Sequence, residues 1–323
     1  MKTEAKHKRY RDFGGKRTAV VALGSTDFGG SVPEGQCRDF LDAYESIGGN
    51  FLDTARVYGD FAGKRLGESE KVIGRWLSER DREAFFLSTK GGHPDMDHMD
   101  IGRLSRGEIE DDFRRSLDNL RTDYVDIYWL HRDDVKRPVG DILDTLNGLL
   151  ESRGTRMVGV SNWSPDRIRE ANAWAAAHGL HGLDANQPRF SLARQATVED
   201  PTLYPMDAKT YQMHLETHMP LVPFSSQAKG FFTKLHDLGP EALPEKTRRR
   251  FYTPDNLATY QRVLNVCRDT GYSVGAVALA YLTCQPFPTF PLAGVSKTAQ
   301  VLALNEAADA VITDAQRDYL LKL

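Results

Sequence analysis

Long apolar runs are missing from this chain. No stretch approaches the ~20 residues needed to span a bilayer, so membrane insertion is not expected. Cysteine is scarce: Cys37, Cys267 and Cys284 are odd in number and far apart, which writes neither a disulfide framework nor a Cys-x-x-Cys metal site and fits a reducing cytoplasm. Charge of one sign is not in excess. A net charge of −3 gives no reason to expect a nucleic acid or other polyanion as partner. The basic opening (Lys6, Lys8, Arg9, Arg11, Lys16, Arg17) lacks an apolar h-region, so residues 1–17 read as a solvated N-terminal arm without a secretion signal. Internal repeats, low-complexity tracts and Pro-, Gly- or Ser-rich linkers are absent, and residues 18–323 read as one domain. No Gly-x-Gly-x-x-Gly follows the first strand and no Gly-Lys-Ser/Thr occurs, so the usual phosphate cradles are missing.

What remains is a rhythm. Apolar segments of strand length alternate with helix-period segments, and 323 residues suit a barrel of such units. Strands are expected at 18–23, ending near 53, at 85–90, 124–130, 157–160, near 186–187, at 221–224 and at 289–292. Helices are expected from Pro33, around 72–77, and over 108–120, 139–150, 166–177, 256–270 and 274–282, with one after Lys297. Continuous rather than alternating apolar strands imply cover on both faces. Eight such strands predict an α/β fold, a (β/α)8 TIM barrel with extended loops at its C-terminal face. Residues 238–253, with Gly239-Pro240, Pro244 and Arg248-Arg249-Arg250, read as a surface loop.

The strand ends carry the chemistry. In such barrels the carboxyl ends of the strands form the active site, so Asp53, Lys90 and His131 converge with Tyr58 just above. A phenol is a poor acid at neutral pH, but a neighbouring ammonium favours its phenolate. Lys90 can supply that charge, Asp53 can hold Lys90 in place, and His131 can hydrogen-bond a substrate oxygen or share the proton of Tyr58. Together they make a proton donor for an oxygen.

The order and spacing of several segments resemble the aldo-keto reductase family over almost the whole chain. They are Leu23-Gly24-Ser25-Thr26-Asp27-Phe28-Gly29, Gly49 through Gly59, Leu66-Gly67-Glu68-Ser69-Glu70, Ser88-Thr89-Lys90, residues 117–131, Val158-Gly159-Val160-Ser161-Asn162 and Gly294-Val295-Ser296-Lys297. The family's Asp, Tyr, Lys, His tetrad falls on Asp53, Tyr58, Lys90 and His131. The resemblance implies hydride transfer from a nicotinamide to a carbonyl carbon of a small molecule, with Tyr58 as general acid in reduction. It also implies an extended cofactor bound without a Rossmann unit. Ser161, Asn162 and Gln187 match the carboxamide positions, and Phe224 stands where many members stack a tyrosine, keeping the stacking but losing the hydroxyl. Ser225, Ser226, Gln227 and Gly230 match the pyrophosphate loop. Ser296 and Lys297 suit a 2′-phosphate, which favours NADPH/NADP+ over NADH. Ser25, Thr26, Asp53 and Gly294 are counted with the cofactor positions. Gln300 falls on a family glutamine directly; Asn305 reaches the adenine-contacting asparagine if one residue is inserted between them.

Other readings stand beside these. Ser161-Asn162 alone would suit a helix N-cap. His93-Pro94-Asp95-Met96-Asp97-His98 gathers imidazoles and carboxylates, yet its spacing matches no closed zinc pattern, so no metal is expected and the loop is taken to shape the pocket. Arg132, Asp133 and Asp134, with Asp27 and Asp60, suggest a polar rim and a polar or sugar-like carbonyl. The alternatives to a reductase are a nicotinamide-binding regulatory subunit with little turnover and a metal-dependent lyase or isomerase. Oligomeric state is not written in the sequence.

Overall fold

Short strands buried on both faces explain the continuous apolar runs. The computed structural model describes residues 9–59, 66–197 and 200–321. In chain order the strands are β1 (Tyr10–Phe13), β2 (Lys16–Ala19), β3 (Ala22–Gly24), β4 (Phe51–Asp53), β5 (Phe86–Gly91), β6 (Val125–Leu130), β7 (Thr155–Ser161), β8 (Ala185–Gln187) and β9 (Leu292–Gly294). From β3 onward they form one parallel sheet in the order β8-β7-β6-β5-β4-β3-β9. Residues 221–224 fill the gap between its edges: Leu221 bridges Asn186 on one side and Thr289 on the other. Val222 N donates to Asn186 O (2.9 Å) and Phe290 N to Leu221 O (2.8 Å). Seven strands plus this segment close an eight-membered ring, a (β/α)8 barrel with no free edge.

Side chains two apart on a strand share a face, and that spacing sorts the interior into levels. Phe51, Phe86, Ile127, Trp129, Met157, Val222 and Phe290 fill the barrel below. One or two steps of two residues above them on their own strands come Asp53, Lys90 and His131. Register keeps these ends level, with Gly24 opposite Asp53 and Gly294, Asp53 opposite Ser88, and Ser161 opposite Gln187.

Helices cover the outside by the apolar faces expected of them. Arg106–Leu120 buries Ile109, Phe113 and Leu120 and opens with a capping box in which Ser105 N donates to Glu108 Oε2 (3.0 Å). Each fully buried side chain of this kind stabilises by ~1.5–3 kcal/mol.

Four expectations change. Residues 10–19 form an antiparallel hairpin rather than a solvated arm; Phe13 stacks on Phe86 and Phe290 (centroids 4.8 Å in both cases) and plugs the barrel floor. Lys6 and Lys8 lie outside the described residues. The first barrel strand therefore begins at Ala22, because Lys16–Ala19 is committed to the hairpin, and the last barrel strand runs Leu292–Gly294. The 238–253 segment contains a helix, Glu245–Phe251, anchored by buried Leu243 and Phe251. Three further helices, Ala208–Thr217, Phe231–Leu238 and Asp314–Leu321, were not expected.

Candidate active site

Asp53 and Lys90 meet inside the barrel mouth, each only 1% exposed. Lys90 Nζ donates to Asp53 Oδ2 (2.5 Å) and to Thr54 O (2.7 Å). The carboxylate is completed by Ser88 Oγ (2.6 Å) and Gln187 Nε2 (3.2 Å) donating to Oδ1. Burial alone lowers the Lys90 pKa, but Asp53 and then Tyr58 outweigh it and hold it above its ordinary value. The ammonium stays charged.

Tyr58 reaches the same point from the loop after β4. Lys90 Nζ lies 4.7 Å from its ring centroid, and its ring meets His131 edge to face at 5.6 Å. The backbone fixes this position: Tyr58 N donates to Ala55 O (3.0 Å), Gly59 N to Thr26 O (3.1 Å) and Ser69 N to Tyr58 O (3.3 Å). Gly30 packs beneath so closely that a Cβ there would sit 1.4 Å from Gly59 O. His131 is 7% exposed, its Nδ1 is buried without a partner, and burial followed by His93, Arg132 and Lys90 pushes its pKa well below the ordinary imidazole value. It is therefore neutral at physiological pH.

The expected cofactor positions separate into groups. Ser161 Oγ donates to Gln187 O (2.7 Å), and Asn162 Nδ2 donates to Ser161 Oγ (3.0 Å) and His131 O (3.1 Å). Asn162 Oδ1 accepts from Tyr204 N (3.1 Å), so these amides are pinned at the mouth. They do not cap the next helix, since Ser164 does so by accepting from Arg167 N (3.2 Å). Phe224 is half-buried against the interior cluster. After it Ser225, Ala228, Lys229 and Gly230 all have positive φ, an unusual run for non-glycine residues, and Gly230 opens helix Phe231–Leu238 with no side-chain cap. Ala228 N and Gly230 N close tight turns on Ser225 O (2.8 Å) and Gln227 O (2.7 Å), and a left-handed turn of this kind leading into an uncapped helix N-terminus suits a pyrophosphate. Ser226 is instead a structural tie, its Oγ donating to Leu292 O (2.6 Å). Ser25 is another: it donates to Asp53 O (2.9 Å) and accepts from Ser69 Oγ (2.7 Å). Thr26 is exposed and acts on Gly59 through its carbonyl.

At the far end Gly294, Ser296 and Lys297 are exposed, and Lys297 begins helix Thr298–Asp309 without a side-chain cap. Gln300 turns back to accept from Ser296 N (2.8 Å). Asn305 is elsewhere. The helix is continuous with no inserted residue, so five steps of ~100° carry Asn305 roughly 140° round from Gln300. Its carbonyl groups accept from Arg9 Nη2 (2.9 and 3.1 Å) beside the floor hairpin, away from the mouth. A nicotinamide dinucleotide fits the remaining residues: pinned amides at one end, a left-handed cradle in the middle, a lysine at the other.

The rim also differs from expectation. Asp133, largely buried, lies 3.5 Å from Arg167 Nε, and Asp134 Oδ1 accepts from Lys136 N (3.2 Å), so both carboxylates are engaged by neighbouring residues. Asp60 lies outside the described residues. His93, Arg132 and Asp200 are the inward polar groups; nothing in the sequence marks Asp200, on a loop about seventy positions beyond β6. Among the described residues no three His, Cys, Asp or Glu side chains gather as metal ligands would. A groove of about 910 Å³ lined by Glu83, Tyr124, Arg153, Arg156 and His181 opens at the opposite, N-terminal end of the barrel, remote from these groups.

A closed barrel that presents a phenol, an ammonium–carboxylate pair and a neutral imidazole at its carboxyl end defines a TIM-barrel oxidoreductase. The chain belongs to the aldo/keto reductase family, whose profile matches residues 20–323. Members act on small carbonyl compounds and use nicotinamide cofactors, generally NADPH. An aryl-alcohol dehydrogenase of Pestalotiopsis microspora is 27% identical over 315 residues, 92% of this chain and 76% of its own. A probable voltage-gated potassium channel subunit beta of Oryza sativa subsp. japonica is 28% identical, covering 94% and 92%. The glycerol dehydrogenase of Gluconobacter oxydans shares the fold, with a TM-score of 0.77 at 22% identity over 98% of this chain and 94% of that one.

Proposed function

We propose that this chain reduces an aldehyde or ketone to an alcohol with NADPH, using Tyr58 as general acid. One observation carries the reading: Tyr58 lies between the Lys90 ammonium and the His131 ring. The nicotinamide, when bound, supplies the hydride. Tyr58 then gives its proton to the carbonyl oxygen, while Lys90, kept charged by Asp53, stabilises the phenolate left behind. Neutral His131 orients the oxygen and does not compete as an acid. Ser161, Asn162 and Gln187 would hold the carboxamide, Phe224 would stack on the ring, the 225–230 loop would take the pyrophosphate, and Ser296 with Lys297 would favour the 2′-phosphate of NADPH over NADH. The inward polar rim supports a polar or sugar-like carbonyl. Free Cys37, Cys267 and Cys284 support a reducing cytoplasm, and no described helix is long and apolar enough to cross a membrane.

Tyr58→Phe tests this reading. NADPH consumption with a carbonyl panel should fall ~10²- to 10⁴-fold while NADPH affinity is retained; unchanged turnover would sink it. The likeness to potassium channel β subunits supports a second reading, a nicotinamide-binding regulatory subunit. Tight NADPH binding without turnover on any carbonyl would favour that one.

A further inference from the structure

Beside Tyr58 the mouth carries polar side chains that proton transfer does not use. His93 is 7% exposed and lies edge to face on His131, with ring centroids 4.7 Å apart. Its loop is clamped: Gly92 N donates to Asp112 Oδ2 (2.9 Å), Arg103 Nη1 donates to His93 O (2.9 Å), and Arg103 Nη1 lies 3.3 Å from Asp112 Oδ2. The ring is fixed as well. Its Nδ1 faces Pro94 O at 2.7 Å; a carbonyl only accepts, so Nδ1 carries the proton and Nε2 is left as an acceptor.

Arg132, 8% exposed, brings a second acceptor to the same rim. It donates Nη1 to His131 O (2.9 Å) and Nε to Thr202 Oγ1 (3.1 Å), and its Nη2 lies 3.5 Å from Asp200 Oδ2. Thr202 N (2.9 Å) and Oγ1 (2.6 Å) donate to Asp200 Oδ1, which fixes the carboxylate. Among the described residues Oδ2 has only that Arg132 contact, and the side chain remains 34% exposed. His93 lies within electrostatic reach of both Asp200 and Arg132.

Two oriented acceptors ask for donors from the substrate. An ammonium would meet Lys90, Arg132 and Arg103, three cations already at this end, so a neutral O–H is the donor that fits both geometry and charge. We infer that His93 and Asp200 form a hydroxyl-reading subsite next to Tyr58, which selects polyhydroxylated carbonyl compounds of the short aldose type over apolar ones. This rests on the reductase reading above and names its substrate class. A site built to pair hydroxyls rejects an analogue lacking them strongly, because its own acceptors are then left unpaired.

D-glyceraldehyde and propanal test it, since they have the same carbon count and differ by two hydroxyls. The quantity read is the ratio of their kcat/KM values with NADPH, and intrinsic aldehyde reactivity cancels when variant and parent ratios are compared. His93→Phe keeps an aromatic edge on His131 but has no acceptor; the ratio should fall about tenfold or more. Asp200→Ala should do the same, and His93→Gln, which keeps an acceptor, should recover part of the ratio. A ratio within about twofold of the parent in both His93→Phe and Asp200→Ala overturns the subsite while leaving the reductase reading intact. If His93→Phe does not fold, Asp200→Ala decides. If the parent protein reduces neither aldehyde but does reduce other members of the carbonyl panel, the subsite falls and the reductase reading stands; if it reduces none of the panel, both fall.

Discussion

Asp53→Asn isolates the element on which the site is built. The Asp53 and Lys90 side chains are 1% and 0% exposed and their charged atoms are 2.5 Å apart, so the substitution strands a buried ammonium. Removing one partner of such a pair costs ~3–5 kcal/mol. The cost should depend on pH. In the parent the Lys90 pKa is raised in the folded state, so the lysine is charged both folded and unfolded from about pH 7 to 9 and contributes little slope there. In Asp53→Asn, burial acts without its main opponent and the folded-state pKa drops below the unfolded one. The unfolded chain then binds more protons, and stability rises with pH by up to ~1.4 kcal/mol per unit until the unfolded lysine titrates.

Urea unfolding of both proteins at pH 7 and pH 9.5 measures this. The deficit of the variant should be large at pH 7 and much smaller at pH 9.5. Asp53→Asn combined with Lys90→Met removes the stranded charge and should recover most of the loss at pH 7, because a buried ion pair replaced by apolar packing is often neutral. A deficit below ~1 kcal/mol at pH 7, or one equal at both pH values, would refute the claim that Asp53 is what keeps Lys90 charged.

Gly30→Ala should displace Gly59 and with it Tyr58; a shift near ~1 Å costs ~10²-fold in kcat, so turnover should drop while NADPH affinity measured by fluorescence changes little. Lys297→Ala should lower the affinity ratio of NADPH to NADH about tenfold or more, as expected for one charge-assisted hydrogen bond. Asn305→Ala, whose amide serves Arg9, should leave that ratio unchanged. Burial, and then Arg132, pushes His93 down to about 4, so its contribution is fully present above pH 6.5 and is lost as pH falls toward 4. Between pH 7 and 5 the parent should lose ~2 kcal/mol more than His93→Phe in urea unfolding, and parallel losses would count against a buried neutral His93.

How far the residues alone could be read follows from what each kind of element must satisfy. Barrel strands covered on both faces announce themselves by apolar runs, and the two-residue face repeat puts Asp53, Lys90 and His131 above Phe51, Phe86 and Ile127 without further information. The floor hairpin hides because its charged composition masks a single anchor: β1 and β2 are rich in charge, and Phe13 alone of their aromatics enters the barrel. Glu245–Phe251 hides for a like reason, its three arginines drawing attention from buried Phe251.

 Asn305 shows a different limit. Matching it to a family asparagine needed an inserted residue, and a regular helix has no room for one without a bulge, so helix geometry rather than residue type decides its place. Asp200 marks the last limit. Its role depends on a loop folding back to Arg132, a long-range contact that no local pattern encodes, and substrate selectivity is therefore the part of this site that only the folded chain reveals.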